Sequence, residues 1–187
     1  MSALLRFDQV ACVRGGRLLF QGLDLALAAG EALHLVGPNG SGKSSLIRLA
    51  AGLLKPAAGR IDRAGRLALA DEHLALDREL SLRAALSFWA GRGEALDRAL
   101  AVLELDRLAD APVRLLSTGQ ARRARLARVL ASGAPLWLLD EPLNGLDAEG
   151  SERLAGAIAA HRQSGGAVLA ASHQPLGGGW AQLELTP

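Results

Sequence analysis

The stretch GPNGSGKS, Gly37 to Ser44, determines how the rest of the chain is interpreted. It follows an apolar run from Ala32 to Val36, and the residues after it have the apolar period of a helix that Gly52 and Pro56 end. The stretch fits the pattern G-x-x-x-x-G-K-[ST], in which glycines let the backbone fold closely around phosphate groups. A strand, a phosphate-binding loop and a helix are therefore predicted in this order.

The loop has the chemistry of a nucleoside triphosphate site. Backbone N–H groups and the helix N-terminus favour an anion, Lys43 would bridge the β- and γ-phosphates, and Ser44 would ligate Mg²⁺. Lys55 is the only other lysine of the chain, so composition does not account for a lysine at this position. The residues predicted to bind the nucleotide here are Gly37, Pro38, Asn39, Gly40, Ser41, Gly42, Lys43, Ser44 and Ser45.

Two acidic residues follow a second apolar run, LWLL at 136–139. Asp140 would hold Mg²⁺, and Glu141 would orient and polarise the attacking water. An acidic pair can also simply mark the end of a strand. Its combination with the phosphate-binding loop favours a catalytic site.

Strands alternate with helices along the chain, which predicts an α/β fold with a mainly parallel sheet. Residues 71–132 have helical spacing, as in Leu82, Leu86 and Trp89, and are predicted to be a helical subdomain inserted in a single domain, 1–187, whose core is 1–70 and 133–187. The predicted strands are Leu4 to Val10, Leu23 to Leu27, Ala32 to Val36, Arg60 to Asp62, Leu67 to Ala70, 136–140 and 167–172, and the later helices are Ala121 to Ala131 and Ser151 to Arg162.

Composition is typical of a globular domain, with 50% hydrophobic residues and a formal charge of +2. The single cysteine, Cys12, excludes an internal disulfide and a cysteine-based metal cluster, and we expect it in the core. The chain has neither a signal-peptide layout nor an apolar run of about 18 residues. We therefore expect a cytoplasmic protein that contacts a membrane only through partners.

Further motifs occur in a characteristic order. LSTGQ, Leu116 to Gln120, is similar to the signature LSGGQ, with Thr118 in place of a glycine. Asn144-Gly145-Leu146-Asp147 is similar to a D-loop, and Ser172-His173-Gln174 to a switch-histidine segment. Over nearly its whole length the sequence resembles the ATP-binding subunit of ABC transporters, which are P-loop NTPases with an inserted helical subdomain.

The resemblance implies a homodimer that encloses two ATP molecules head to tail with Mg²⁺. The signature residues Ser117, Thr118, Gly119 and Gln120 would contact the γ-phosphate held by the other copy. Asp147 would communicate across the interface, and His173 would clamp the γ-phosphate and the attacking water. The implied partners are integral-membrane permease subunits, which would place the chain at the cytoplasmic face of a bacterial inner membrane.

Four arginines lie within seven residues of the helix after the signature: Arg122, Arg123, Arg125 and Arg128. A nucleic-acid site would need aromatic platforms or further basic residues. The chain has only six Phe or Trp residues and no Tyr. We expect these arginines to form a solvated helix face and no nucleic acid to bind.

Two positions depart from the common pattern of the family. Arg14 aligns with the aromatic residue that stacks on adenine, and its guanidinium could stack instead or simply be solvated in a turn. His73 aligns with the Q-loop glutamine and could meet the Mg²⁺ shell or be a plain loop residue. Of the remaining candidates, Trp89 is expected in the core more than at a permease contact, His34 in a strand and His161 on a helix surface.

Within the family, Arg14 and the segments PLWLLDEPLNGLD and GGAVLAASHQPL resemble the ATPases of bacterial cytochrome c maturation, which are also called haem exporter subunits. Two alternatives stay open at this point. One is the ATPase of an unrelated small-molecule or antibiotic exporter, and the other is a nucleotide-gated binding module with weak hydrolysis. The chain has no haem-attachment motif, so haem binding by the chain itself is not predicted.

Overall fold

The computed structural model describes residues 3–90 and 93–186. These residues form two compact units, which we name the sheet unit and the helical unit. The predicted helical insert, 71–132, falls within the helical unit, which also includes residues 142–160. The sheet unit comprises the described residues of 3–69, 134–141 and 161–186, and the helical unit those of 70–133 and 142–160.

A five-stranded sheet carries the strands on which the predicted catalytic residues lie. Its strands are β3 (Ala32–Val36), β5 (Leu67–Ala70), β6 (Leu136–Asp140), β7 (Ala167–Ala171) and β8 (Ala181–Glu184). Their order in the sheet is β5-β6-β7-β3-β8, and the pairs β6–β7, β7–β3 and β3–β8 are parallel, as predicted. Buried strands in parallel sheets are apolar on both faces, which explains the unbroken runs LWLL and AVLAA.

A second, antiparallel sheet of three strands was not predicted as a separate sheet. It consists of β1 (Ala3–Arg14), β2 (Arg17–Ala28) and β4 (Ala58–Arg63), in the order β2-β1-β4. Gly15 and Gly16 join the first two strands with φ of 55° and 78°, the left-handed conformation that a tight hairpin turn requires. The strands are longer than predicted because the alternating apolar pattern fades toward this exposed turn.

The helix α1 (Lys43–Ala50) follows β3 through the phosphate-binding loop and packs against β6 and β7. It ends before Gly52, whose φ of 78° stops the helix as predicted. Cys12 is 3% exposed in the core, as expected, and burial raises its pKa. One cluster of buried side chains joins α1 with both sheets, including Leu5, Phe7, Leu35, Leu46, Leu138 and Leu169.

The helical unit contains α2 (Leu82–Ala90), α3 (Glu94–Val102), α4 (Thr118–Ala131) and most of α5 (Ala148–Gln163). Helices α2 and α3 both pack against α4. The predicted apolar spacing is confirmed because Leu82, Leu86, Leu96 and Leu100 are all buried. In the described part of the chain, no helix has both the length and the apolarity needed to cross a bilayer.

The prediction that Trp89 belongs to the core is wrong. Trp89 is 45% exposed, and the neighbouring Phe88, which is 82% exposed, meets it edge to face. The Arg128 guanidinium lies 4.8 Å from the centre of the Trp89 ring. A cation over an aromatic face is favourable at a partly wet surface, which accounts for a tryptophan outside the core.

The prediction of a solvated arginine face on α4 is also wrong for three of the four arginines. Arg122 is exposed, whereas Arg125 donates to the Asp71 carbonyl and Arg123 donates to the Leu103 carbonyl at 3.3 Å. Burial lowers the pKa of Arg125 and of Arg128. These side chains are half-buried within the helical unit because aliphatic arginine stems cover apolar surface while their charged ends reach polar atoms.

His161 is not the surface residue that was expected. Its ring stacks on Trp137 with centroids 3.8 Å apart and planes 7° apart. The ring atom Nε2 lies 3.2 Å from the Pro135 carbonyl oxygen, which can only accept, so Nε2 carries the proton. Burial lowers the pKa of His161. A Cβ on Gly166 would lie 2.1 Å from Nε2, so a larger residue at this position would have to displace the ring.

Candidate functional site

Three parallel strands of the sheet unit end at one edge, and each continues into a predicted site segment. β3 leads into the phosphate-binding loop, β6 ends at Asp140 and continues to Glu141, and β7 continues to Ser172 and His173. In open α/β sheets the carboxyl edge is where ligands bind. The parallel register therefore places these candidates on one edge, although the first and last of them, Gly37 and His173, lie 136 positions apart in sequence.

The phosphate-binding loop has a backbone that glycine alone can adopt. Gly37 has a φ of 141°, and a Cβ there would lie 2.4 Å from the Leu185 carbonyl oxygen. Gly42 has a φ of 106°, and a Cβ there would lie 3.2 Å from the Phe20 ring. Phe20 was not predicted as part of the site, since nothing in the local sequence links β2 to this loop.

The polar side chains of the loop point into it. Lys43 is 7% exposed, and its ammonium group donates to the carbonyl oxygens of Gly37 at 2.7 Å and Pro38 at 3.0 Å. The Ser41 hydroxyl is buried and has no hydrogen-bond partner within the described chain. A buried ammonium group and an unsatisfied hydroxyl donor, beside the first N–H groups of α1, fit a ligand that supplies several anionic oxygens.

The residues predicted to hold Mg²⁺ also fit an oxygen-ligand site. Ser44 is exposed in the first turn of α1, and Asp140 is half-buried at the end of β6, on which α1 packs. The described residues include no cluster of three His, Cys, Asp or Glu side chains that could enclose a metal. A hydroxyl and one carboxylate suit Mg²⁺ that keeps water and substrate phosphate as its other ligands.

Glu141 and His173 lie in direct contact. The Glu141 carboxylate accepts from the His173 backbone N–H at 3.4 Å, and its second oxygen lies 3.6 Å from the ring atom Nε2. The Glu141 N–H donates to the Ala171 carbonyl at 2.8 Å while its own φ is 51°. A non-glycine residue in this conformation is strained, and such strain is common at functional sites. Both side chains keep access to solvent, at 26% and 48% exposure.

The signature segment caps a helix in the helical unit. The Ser117 hydroxyl accepts from the Gln120 N–H at 3.3 Å, and the Gln120 side chain accepts from the Ser117 N–H at 2.8 Å. This capping box is visible in the pattern S-x-x-Q but was not predicted. It keeps the N–H groups of Thr118 and Gly119 at the positive end of α4. A Cβ on Gly119 would meet nothing within 4 Å, so this surface is open.

The remaining candidates have local roles. Asp147 caps α5 by accepting from the Gly150 N–H at 2.8 Å. His73 is 70% exposed, and its Nδ1 lies 3.2 Å from the Asp71 carboxylate. Arg14 is exposed at the end of β1, opposite Arg17 in the hairpin.

Comparison with known proteins identifies the family. Residues 20–144 match the sequence model of the ABC transporter family. The chain belongs to the ABC transporter ATP-binding subunits. It is therefore an ATP-binding and ATP-hydrolysing subunit of a transporter. The predicted resemblance, fold class and general function are confirmed.

Several relatives share one description, cytochrome c biogenesis ATP-binding export protein CcmA, and they show that the chain belongs to the CcmA branch of this family. The protein from Sphingopyxis alaskensis is 62% identical over 180 residues, which are 94% of this chain and 93% of the relative. The protein from Novosphingobium aromaticivorans is 61% identical, over 89% of this chain and 87% of the relative. The protein from Zymomonas mobilis is 56% identical, over 94% of this chain and 80% of the relative.

Solved structures support the fold. An ATP-binding subunit of an ABC transporter superposes with a TM-score of 0.82 at 24% identity, over 91% of this chain and 79% of that chain. A second structure is cbiO1 from Clostridium perfringens, part of the ABC transporter complex cbiONQ. It superposes with a TM-score of 0.72 at 25% identity, over 93% of this chain and 80% of that chain.

Proposed function

We propose that this chain hydrolyses ATP as one half of a homodimer that is attached to permease subunits, and that this cycle drives cytochrome c maturation. The observation that carries the catalytic part is the placement of Lys43, Glu141 and His173 in the segments that follow three neighbouring parallel strands, β3, β6 and β7. The description shared by the relatives supports the biological part.

The loop residues bind and orient the triphosphate. Lys43 exchanges its bonds to the Gly37 and Pro38 carbonyls for the β- and γ-phosphate oxygens, a stronger charge-assisted pairing. The Ser41 hydroxyl gains the acceptor that it lacks among the described atoms. Asn39, Gly40 and Ser45, with the loop N–H groups, complete the cradle.

Ser44 and Asp140 would hold Mg²⁺. The ion neutralises phosphate charge when it is bound. Glu141 accepts a hydrogen bond from the attacking water and polarises it, because its carboxylate is partly exposed and is held by the His173 N–H. The His173 ring donates to the γ-phosphate and so fixes the geometry for attack.

Each site is completed by the second copy, by analogy with the family. Ser117 and the N–H groups of Thr118 and Gly119 supply donors at the start of α4 for the γ-phosphate of the other copy's ATP. Gln120 holds this end of the helix through the capping box. Asp147, which caps α5, couples the two sites. ATP then joins the dimer, and hydrolysis releases it.

The membrane partners receive the resulting motion. We place the chain peripherally at the cytoplasmic face of the inner membrane, in contact with the bilayer only through its permease subunits. Export of haem, or of another molecule needed for cytochrome c assembly, is the process that this branch implies. An unrelated exporter is disfavoured by the common description of the relatives, and a binding module with weak hydrolysis is disfavoured by the contact between Glu141 and His173.

Light scattering with ATP and Mg²⁺ tests the sandwich arrangement. The variant Glu141→Gln is expected to bind ATP without cleaving it. Its measured mass should then be twice the 19.4 kDa of the protomer. The double variant Lys43→Ala with Glu141→Gln is the matched control and is expected to stay at the protomer mass. A monomeric Glu141→Gln variant that is saturated with ATP would contradict the proposed dimer.

A further inference from the structure

A buried histidine that the mechanism does not use lies two hydrogen bonds from Glu141. We propose that His34 is a positioning residue for Glu141 and that it acts through the peptide group joining Ser172 to His173. The inference rests on the proposed role of Glu141 in hydrolysis. It concerns a different strand, β3, and a side chain that does not touch substrate.

One peptide group receives both interactions. The Ser172 carbonyl oxygen lies 2.9 Å from Nε2 of His34. The N–H of the same peptide group, on His173, donates to the Glu141 carboxylate at 3.4 Å. A carbonyl oxygen only accepts, so Nε2 of His34 must carry a proton. His34 thus fixes the peptide from one side, and Glu141 is held from the other.

The contact between His34 and the Ser172 carbonyl is buried. His34 is 4% exposed and Ser172 is 2% exposed. The β-ladder partners of His34 are Ala170 on β7 and Gln182 on β8, and their backbone pairing would form with any side chain at position 34. A buried imidazole is costly unless it is hydrogen-bonded, whereas an apolar side chain would suit a central strand. The Trp180 ring, edge-on at 6.3 Å between centroids, supplies only packing.

The physical effect is on the direction and strength of the His173 N–H. A hydrogen bond to the carbonyl polarises the peptide and strengthens the bond that its N–H donates. It also fixes the turn after β7, in which the Ser172 hydroxyl accepts from the Gln174 N–H at 3.0 Å. Glu141 is anchored on its other side by its own N–H to Ala171 at 2.8 Å. The first of these bonds holds the Glu141 backbone, and the His173 N–H holds its carboxylate.

Two substitutions of the same position separate positioning from packing. His34→Met puts an apolar side chain of similar size in place of the ring and removes the hydrogen-bond donor. His34→Gln keeps a side-chain N–H of similar reach. We expect His34→Met to lower kcat for ATP about 5-fold, the effect of one hydrogen bond of ordinary net strength, with KM and nucleotide affinity unchanged. His34→Gln should restore kcat to within about 2-fold of the original chain.

A matched control tests whether looser packing of the core is enough to lower kcat. Val168→Ala truncates a fully buried side chain on β7 that takes no part in the peptide contact. It should lower thermal stability at least as much as His34→Met while leaving kcat unchanged. If Val168→Ala lowered kcat as much as His34→Met, or if His34→Gln gave no rescue, the positioning role would be overturned.

A double-substitution cycle separates failure of this inference from failure of the proposed function. If Glu141→Gln alone leaves hydrolysis unchanged, the assigned role of Glu141 is wrong. If Glu141→Gln lowers the rate, His34→Met should add no further loss in its presence, because His34 acts through Glu141. An additive loss would overturn the inference and leave the role of Glu141 intact. The ¹⁵N spectrum of the His34 ring gives an independent check, since a proton on Nδ1 alone would contradict the contact.

Discussion

The Glu141 carboxylate contacts His173 twice, with one oxygen accepting from the backbone N–H at 3.4 Å and the other lying 3.6 Å from the ring. The two residues follow neighbouring strands, β6 and β7, whose parallel register aligns Asp140 with Ala171. The contact therefore results from strand pairing, and it presents a carboxylate and an imidazole to the same region of the sheet edge.

Loss of the carboxylate charge should impair hydrolysis more than binding. We predict that Glu141→Gln lowers ATP turnover about 10²- to 10³-fold, equivalent to roughly 3–4 kcal/mol of barrier. Nucleotide affinity should stay within about 3-fold because the amide keeps the size of the side chain. Phosphate release and equilibrium binding, measured on one preparation, test this. Unchanged turnover would contradict the role assigned to Glu141.

The backbone conformation of Glu141 should lower the stability of the folded chain. Its φ of 51° is strained for any residue with a Cβ, so Glu141→Gly should be more stable than Glu141→Gln by about 1 kcal/mol. Neither variant should hydrolyse ATP. Chemical denaturation of the two variants without nucleotide measures the difference. If Glu141→Gly were the less stable of the two, the site would not store strain at this residue.

Much of this site could be predicted because its motifs are local. The loop at 37–44 and the acidic pair Asp140 and Glu141 each lie next to an apolar run, so pattern alone assigned them to strand ends. β8 was missed because only Leu183 among its four residues is even partly buried, which leaves no alternation to detect.

The predictions failed where contacts distant in sequence decide the environment. Trp89 and Arg128 lie on different helices and stabilise each other outside the core. His161 stacks on Trp137, 24 positions earlier in the sequence. His34 lies in a strand as predicted, but its contact with a carbonyl oxygen 138 residues away was not predicted. Helical and strand periodicity report which face of an element is apolar, but they do not report which polar group will meet which partner.

Steric fit in the phosphate-binding loop predicts a difference between two of its glycines. Gly37→Ala would place a Cβ 2.4 Å from the Leu185 carbonyl oxygen, and we expect it to cost about 1–3 kcal/mol of stability and to abolish nucleotide binding. At Gly40, where φ is 82°, a Cβ would meet nothing within 4 Å, so Gly40→Ala should cost only about 1 kcal/mol of backbone strain.

Thermal denaturation with and without ATP compares the two variants. Stabilisation by ATP should survive in Gly40→Ala and be absent in Gly37→Ala. If ATP stabilised both variants equally, the close approach of Leu185 would not be the reason for a glycine at position 37.

The stacked histidine predicts a pH dependence of stability. Because burial lowers the pKa of His161, the unfolded chain takes up a proton before the folded chain as the pH falls. This contribution to the free energy of unfolding is present in full above the ordinary histidine pKa of about 6.5 and is lost as the pH falls toward the lowered folded value.

His161→Phe keeps a ring against Trp137 but cannot titrate. Urea denaturation between pH 7.5 and pH 5 should therefore show a smaller loss of stability in this variant than in the original chain. The other three histidines are present in both proteins and cancel in the comparison. Parallel pH profiles would contradict the assignment of a lowered pKa to the half-buried His161.

The most direct test of the central claim is haem staining of membrane proteins from a strain whose only copy of this chain carries Lys43→Ala. Immunoblotting must first show that the variant accumulates normally. Our account predicts the loss of covalently bound haem from c-type cytochromes while proteins with non-covalent haem are retained, since ATP turnover at this site drives c-type maturation. Normal covalent haem staining in that strain would contradict the cytochrome c role and leave the ATPase serving a different exporter.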